Sequence, residues 1–129
     1  ILCAGFGVIL GHNFPFYLKF KGGKGIAATA GIMFSLDWRL TAVCLLAFVL
    51  IVAVTRYVSL GSLVVSAIFL CWNIYFGHLG AYGLAPEARP QFYAVSAVIA
   101  AMAFWRHRAN IVRLVQGREN KVGAKKKTE

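Results

Sequence analysis

Residues 40–54 read LTAVCLLAFVLIVAV, a run without a single charged side chain. It is bounded by LDWR at 36–39 and by TRYVSLGS at 55–62, both polar breaks. A run of this kind is a membrane span or the core helix of a large soluble protein. Its neighbours decide between them. Residues 63–76 and 92–105 are equally apolar, and shorter apolar stretches occupy 1–11 and 26–36. Of the 129 residues, 60% are hydrophobic and only 14% are charged. Soluble domains carry nearer a quarter charged residues, so the chain reads as membrane-embedded. The fold class expected is all-α: a polytopic integral membrane helical bundle with about five membrane segments.

Breakers place the connections. Pro15 stops the first helix in HNFPFYLKFKGGKG at 12–25. Glycines and two prolines make 77–91, GHLGAYGLAPEARPQ, a loop. Trp72, Tyr75 and Phe76 form an aromatic cluster suited to a membrane interface. Gly7 and Gly11 stand in GxxxG spacing, which would admit a neighbouring helix closely. Residues 26–36 are too short for a full span and read as a short, partly re-entrant helix. The expected division is a membrane-embedded domain at 1–105 and a basic juxtamembrane motif and tail at 106–129. The chain starts at Ile1 inside an apolar run, so it is read as part of a longer protein.

Charge then orients the bundle. Alternate connections share a side when each segment crosses. One side gathers Lys19, Lys21, Lys24, Arg56, Arg106, Arg108, Arg113, Arg118, Lys121 and Lys125 to Lys127. The other holds Arg39 and Arg89. Positive loops stay inside, so the first side and the C-terminus are expected in the cytoplasm. The net charge of +10 therefore reports topology and not a nucleic-acid partner. Cys3, Cys44 and Cys71 lie in apolar runs without CxxC spacing, and read as buried inert thiols with no metal site.

Three basic segments carry potential chemistry. Lys19-Phe20-Lys21-Gly22-Gly23-Lys24-Gly25 precedes a short helix. Glycines admit a ligand to backbone N–H groups, a helix start adds positive potential, and lysines add charge, together a phosphate site. It is not a Walker A loop, because Leu18 and Gly25 stand where Gly and Ser or Thr are needed. A flexible basic loop held by lipid headgroups is the plainer alternative. In Arg56-Tyr57-Val58-Ser59-Leu60-Gly61-Ser62, the serines cap a helix or serve a site, and Arg56 snorkels or holds a phosphate bidentately. In Arg106-His107-Arg108-Ala109-Asn110, a neutral imidazole among cations can act on a hydroxyl as base. If helical, that segment puts His107 and Asn110 on one face. A solvated basic helix is its alternative, with Glu119 anchoring an arginine.

Taken together, GHNFPFYLKFKGGKGIA, YVSLGS and RHRANIVRLVQGRENK resemble the bacterial membrane acyl-phosphate:glycerol-3-phosphate acyltransferases along essentially the whole chain. The resemblance implies transfer of a fatty acyl group from acyl phosphate to glycerol 3-phosphate. The products would be lysophosphatidic acid and phosphate, early in phospholipid synthesis at the bacterial inner membrane. No cofactor or metal is implied. The implied partners are the two substrates, membrane lipid and an enzyme that makes acyl phosphate. The family's catalytic positions fall on His107, Asn110 and Ser59. Its glycerol 3-phosphate region falls on Asn13, Gly22, Gly23, Lys24 and Gly25, with Arg56 added from its own charge. Gly11 and Glu119 fall on supporting positions. Two departures stand out. An earlier loop with an essential serine and arginine is absent from these residues, which puts the activity of this chain alone in doubt. Ala28 occupies a position where the family tends to have Thr. A transporter for a phosphorylated anion and a non-catalytic subunit binding anionic lipid are the rival readings.

Overall fold

Apolar runs without internal Pro form helices because nothing in them competes with the i→i−4 ladder. In the computed structural model, residues 1–14 and 26–123 are described, and their architecture is all-α. The helices are α1 (Leu2–Asn13), α2 (Ile26–Leu36), α3 (Trp38–Thr55), α4 (Val58–His78), α5 (Arg89–Arg106) and α6 (Arg108–Val115). A 3-10 turn at Pro86–Ala88 leads into α5.

Two of these, α3 and α4, are long and apolar enough to cross a membrane among the described residues. The expected count of about five is thus reduced by length and composition. At 1.5 Å per residue the 11 residues of α2 reach only about 17 Å, against about 30 Å of hydrocarbon. The 18 residues of α5 include Arg89, Pro90, Gln91 and Arg106. Only 11% of α3 is buried, and Leu45, Leu46, Val49, Leu50 and Val54 are exposed along it. So much bare apolar surface on one helix is unstable against water and natural against lipid, as the membrane-associated fold requires.

The segments pack in sequence. α3 lies on α4, α4 on α5, and α1 and α2 complete the layer against α3 and α5. Leu40, Cys44, Phe69, Phe92 and Ile99 belong to the core between them. Three glycines set the close approaches. A Cβ on Gly5 would stand 2.5 Å from Ile32, one on Gly61 2.9 Å from Phe48, and one on Gly77 2.8 Å from Tyr93. A Cβ on Gly7 or Gly11, the expected pair, would meet nothing within 4 Å among the described residues. Spacing alone does not say which glycine stripe meets a neighbour. Within α4, Asn73 Nδ2 donates to Ser96 Oγ of α5 at 3.2 Å, and Tyr82 donates its hydroxyl proton to Asn73 Oδ1. Such bonds satisfy polar groups that hydrocarbon cannot.

Two element boundaries differ from expectation. α4 starts five residues before the apolar run at 63–76, because Ser62 Oγ bonds back to the Val58 carbonyl and needs no water. α5 starts at Arg89 because Pro90 suits a helix's first turn. Of the cysteines, Cys44 is buried, but Cys3 and Cys71 are exposed on helix surfaces. An apolar run does not reveal which of its positions face inward.

Candidate active site

The bundle has two polar ends. At one, Asp37 between α2 and α3 caps α3 through Arg39 N–H, binds the Arg39 guanidinium and accepts from Trp72 Nε1 at 3.3 Å. Those bonds from Arg39 hold the Asp37 carboxyl below its ordinary range against the opposing effect of burial. Arg39 also stacks on Phe76. At the other end, Phe14 after α1 meets Trp105 at 6.2 Å and Arg106 at 5.4 Å. There too the α3–α4 junction meets the tail beyond α6. Alternate connections therefore converge, and Arg56, Arg106, Arg108, Arg113, Arg118 and Lys121 collect at the second end.

His107 sits at the joint between α5 and α6, with φ −94 and ψ 6. Its N–H closes α5 on the Ala103 carbonyl, and its own carbonyl accepts from Ile111 of α6. The side chain is 1% exposed. Its Nδ1 lies 2.7 Å from the Ala103 carbonyl oxygen. A carbonyl only accepts, so Nδ1 carries a proton and donates to it. One turn on, Asn110 Nδ2 donates to Glu119 Oε1 at 2.9 Å. Arg113 Nε donates to Glu119 Oε2 at 3.0 Å. Burial pushes the Glu119 carboxyl up, but the bonds from Asn110 and Arg113 outweigh it and leave the group below its ordinary value. Glu119 thus anchors an arginine, and it also holds Asn110.

These groups border a cavity of about 440 Å³. Phe48, Val58, Ser59 and Ser62 line one wall, His107 and Asn110 another, and the tail from Glu119 to Val122 a third. Ser59 is the second residue of α4, not its cap, which is Tyr57. Its hydroxyl is buried and has no hydrogen-bond partner among the described residues. An apolar groove of about 200 Å³ runs from Thr29 and Met33 past Cys44 and Val65, and shares Phe48 with the polar cavity.

The expected residues divide accordingly. Ser59, His107, Asn110 and Glu119 come together. Arg56 stands at the edge, where its Nε donates to the Val122 carbonyl at 2.9 Å. Neither snorkelling nor phosphate binding anticipates that partner. Asn13 is 1% exposed at the end of α1, its Oδ1 lacking a partner among the described residues, but it does not line the cavity. Gly11 is exposed. Gly22, Gly23, Lys24 and Gly25 lie outside the described residues. Lining residues not anticipated are Phe48, Val58, Ser62, Asn120, Lys121 and Val122. Ser62 follows Ser59 at i+3, a spacing that places both on one helix face. No sequence signal marks the return of the tail.

A family profile described as "Glycerol-3-phosphate acyltransferase" matches residues 1–117. Similar chains include the glycerol-3-phosphate acyltransferase of Paramagnetospirillum magneticum, 40% identical over 98% of this chain and 57% of the relative. That of Rhodospirillum rubrum is 41% identical over 98% of this chain and 53% of the relative. The chain thus spans little more than half the length of these curated relatives. Two crystal structures of PlsY (YgiH), an integral membrane glycerol 3-phosphate acyltransferase, are also similar. Its glycerol 3-phosphate form superposes with a TM-score of 0.77 at 31% identity, covering 95% of this chain and 56% of that one. Its lysophosphatidic acid form gives 0.76 at 32% identity.

Proposed function

Because this chain belongs to the glycerol-3-phosphate acyltransferase family, we propose that the protein transfers a fatty acyl group from acyl phosphate to glycerol 3-phosphate, releasing phosphate. The observation that carries this is one cavity bordered by Ser59, His107, Asn110 and Lys121, three groups that act on hydroxyls or phosphates beside a cation.

Both substrates bear phosphate, so basic groups and N–H donors at one end of the bundle hold both. Lys24 with Gly22, Gly23 and Gly25 belongs to that set by its composition, and Asn13 closes it from α1. The glycerol hydroxyl oxygen bonds to the acyl carbon as the acyl carbon's bond to phosphate breaks. The hydroxyl proton passes to a substrate phosphate or to His107 Nε2. Phosphate is a good leaving group, so alignment matters more than base strength. Holding the two reactants together removes about 7–11 kcal/mol of barrier. Asn110 borders the cavity with His107, its amide fixed by Glu119. Ser59 offers its buried hydroxyl to substrate, and the apolar groove beside Phe48 suits the acyl chain.

The finer topology belongs to the same proposal. α5 crosses beside α4 with its arginines at opposite interfaces, and α1 and α2 are further membrane segments, α2 entering only part of the way. Residues 1–105 are then the membrane domain and 106–129 a cytoplasmic motif. The basic end faces the cytoplasm of a bacterial inner membrane, where a partner enzyme supplies acyl phosphate.

His107→Gln in the full-length protein tests the chemistry, because glutamine occupies similar space but titrates no proton. A fall in kcat of about 10²–10⁴ is expected, in the range of positioned acid–base groups. Unchanged turnover would exclude His107 from the reaction.

A further inference from the structure

Arg56 is the only non-glycine residue with positive φ among the described residues, at 62°. It ends α3 in the left-handed conformation that glycine usually supplies. That turn of the backbone aims its carbonyl at the tail, where it accepts from Val122 N–H at 2.9 Å. The side chain returns the bond, since Nε and Nη2 both donate to the Val122 carbonyl. The next residue on each side repeats the pairing, with Lys121 Nζ 5.5 Å from the Tyr57 ring centre. The other end of this tail segment is fixed through Glu119, held by Asn110 and Arg113. Gly117, at φ 67°, turns the chain between α6 and that anchor. Residues 119–122 are thus pinned at both ends across the cavity mouth, with Asn120 and Lys121 on its wall.

We propose that Arg56 is a positioning residue: it clasps the tail as a wall of the cavity and thereby presents Lys121 as a cation for substrate phosphate. The proposal rests on the acyltransferase reading for its substrate, but not for the clasp itself. The Arg56 guanidinium is committed to a peptide carbonyl, whereas Lys121 lines the cavity, its ammonium meeting the Tyr57 ring and no acidic group among the described residues.

The test uses the full-length protein in lipid nanodiscs. Arg56→Gly keeps the left-handed turn at no steric cost and removes the side chain with its guanidinium. Without substrate, backbone amide exchange over 119–123 should rise about tenfold, the loss of one or two hydrogen bonds to a charged donor. The KM for glycerol 3-phosphate should also rise about tenfold, with kcat within about threefold, as for lost ground-state binding. Lys121→Ala should raise KM similarly without changing exchange at Val122. In the double variant the KM effects should not multiply, because Arg56 acts through Lys121. Arg56→Lys should recover part of both effects. Unchanged exchange in Arg56→Gly overturns the clasp, whether or not the protein transfers acyl groups. Faster exchange with unchanged KM, or KM effects that multiply, overturns the link from clasp to Lys121. A wild-type protein that makes no lysophosphatidic acid sinks the acyltransferase reading and leaves the exchange result to decide the clasp.

Discussion

Glu119 shows how one carboxylate organises its surroundings. It faces Arg113 and Asn110, and its side chain is 5% exposed against 39% for Arg113. Removing its charge by Glu119→Gln keeps the shape but weakens both bonds. A loss of about 1 kcal/mol is expected after allowing for the partly exposed arginine, read as a lower midpoint in thermal unfolding. Asn110 would lose its fixed orientation, so kcat should fall as well. The pH dependence follows from the lowered carboxyl. The unfolded chain binds the proton more readily than the folded one, so this stabilisation is complete above the ordinary carboxylate range. It disappears as pH falls below that range through the folded value. Glu119→Gln should flatten that acid limb; an unaltered limb would assign it to another group. The pairing of Glu119 with an arginine was legible from charge alone. Its hold on Asn110 was not, because the two stand nine positions apart with a left-handed Gly117 in between.

Between elements, packing depends on what is missing from Gly61. Its backbone lies against Phe48 and Val52 of α3, and an added Cβ would stand 2.9 Å from the Phe48 ring. Gly61→Leu should force α3 and α4 apart and cost about 1–3 kcal/mol, as overpacking does. Phe48 borders both the apolar groove and the polar cavity, so the same substitution should slow turnover beyond its effect on stability. Full activity at lowered stability would show that the two spaces are independent. Helix existence was legible from hydropathy, since α3 and α4 carry long uncharged runs. Their limits were not. Serines lower mean hydropathy at the start of α4, yet Ser62 and Ser66 satisfy themselves on carbonyls four residues back. Gly7 and Gly11 have the spacing, yet among the described residues it is Gly5 that makes the close contact.

At the scale of the molecule, two polar ends separate two kinds of work. Asp37, Arg39, Trp72 and Tyr82 tie one end together, and burial lifts the Tyr82 phenol to about 12. The other end gathers Ser59, His107, Asn110 and the returning tail around an open cavity. Alternation of short connections made that gathering legible from sequence, because each crossing reverses sides. The fold-back of residues 119–122 was not legible, since it depends on a backbone turn at Arg56 that arginine rarely adopts. The central claim is that this end transfers acyl groups and does not merely bind or pass phosphate. Full-length protein in lipid vesicles, given acyl phosphate and glycerol 3-phosphate, tests it by chemical analysis of both products. Lysophosphatidic acid and inorganic phosphate should appear in equal amounts. Saturable binding or transmembrane flux of glycerol 3-phosphate without either product would contradict it.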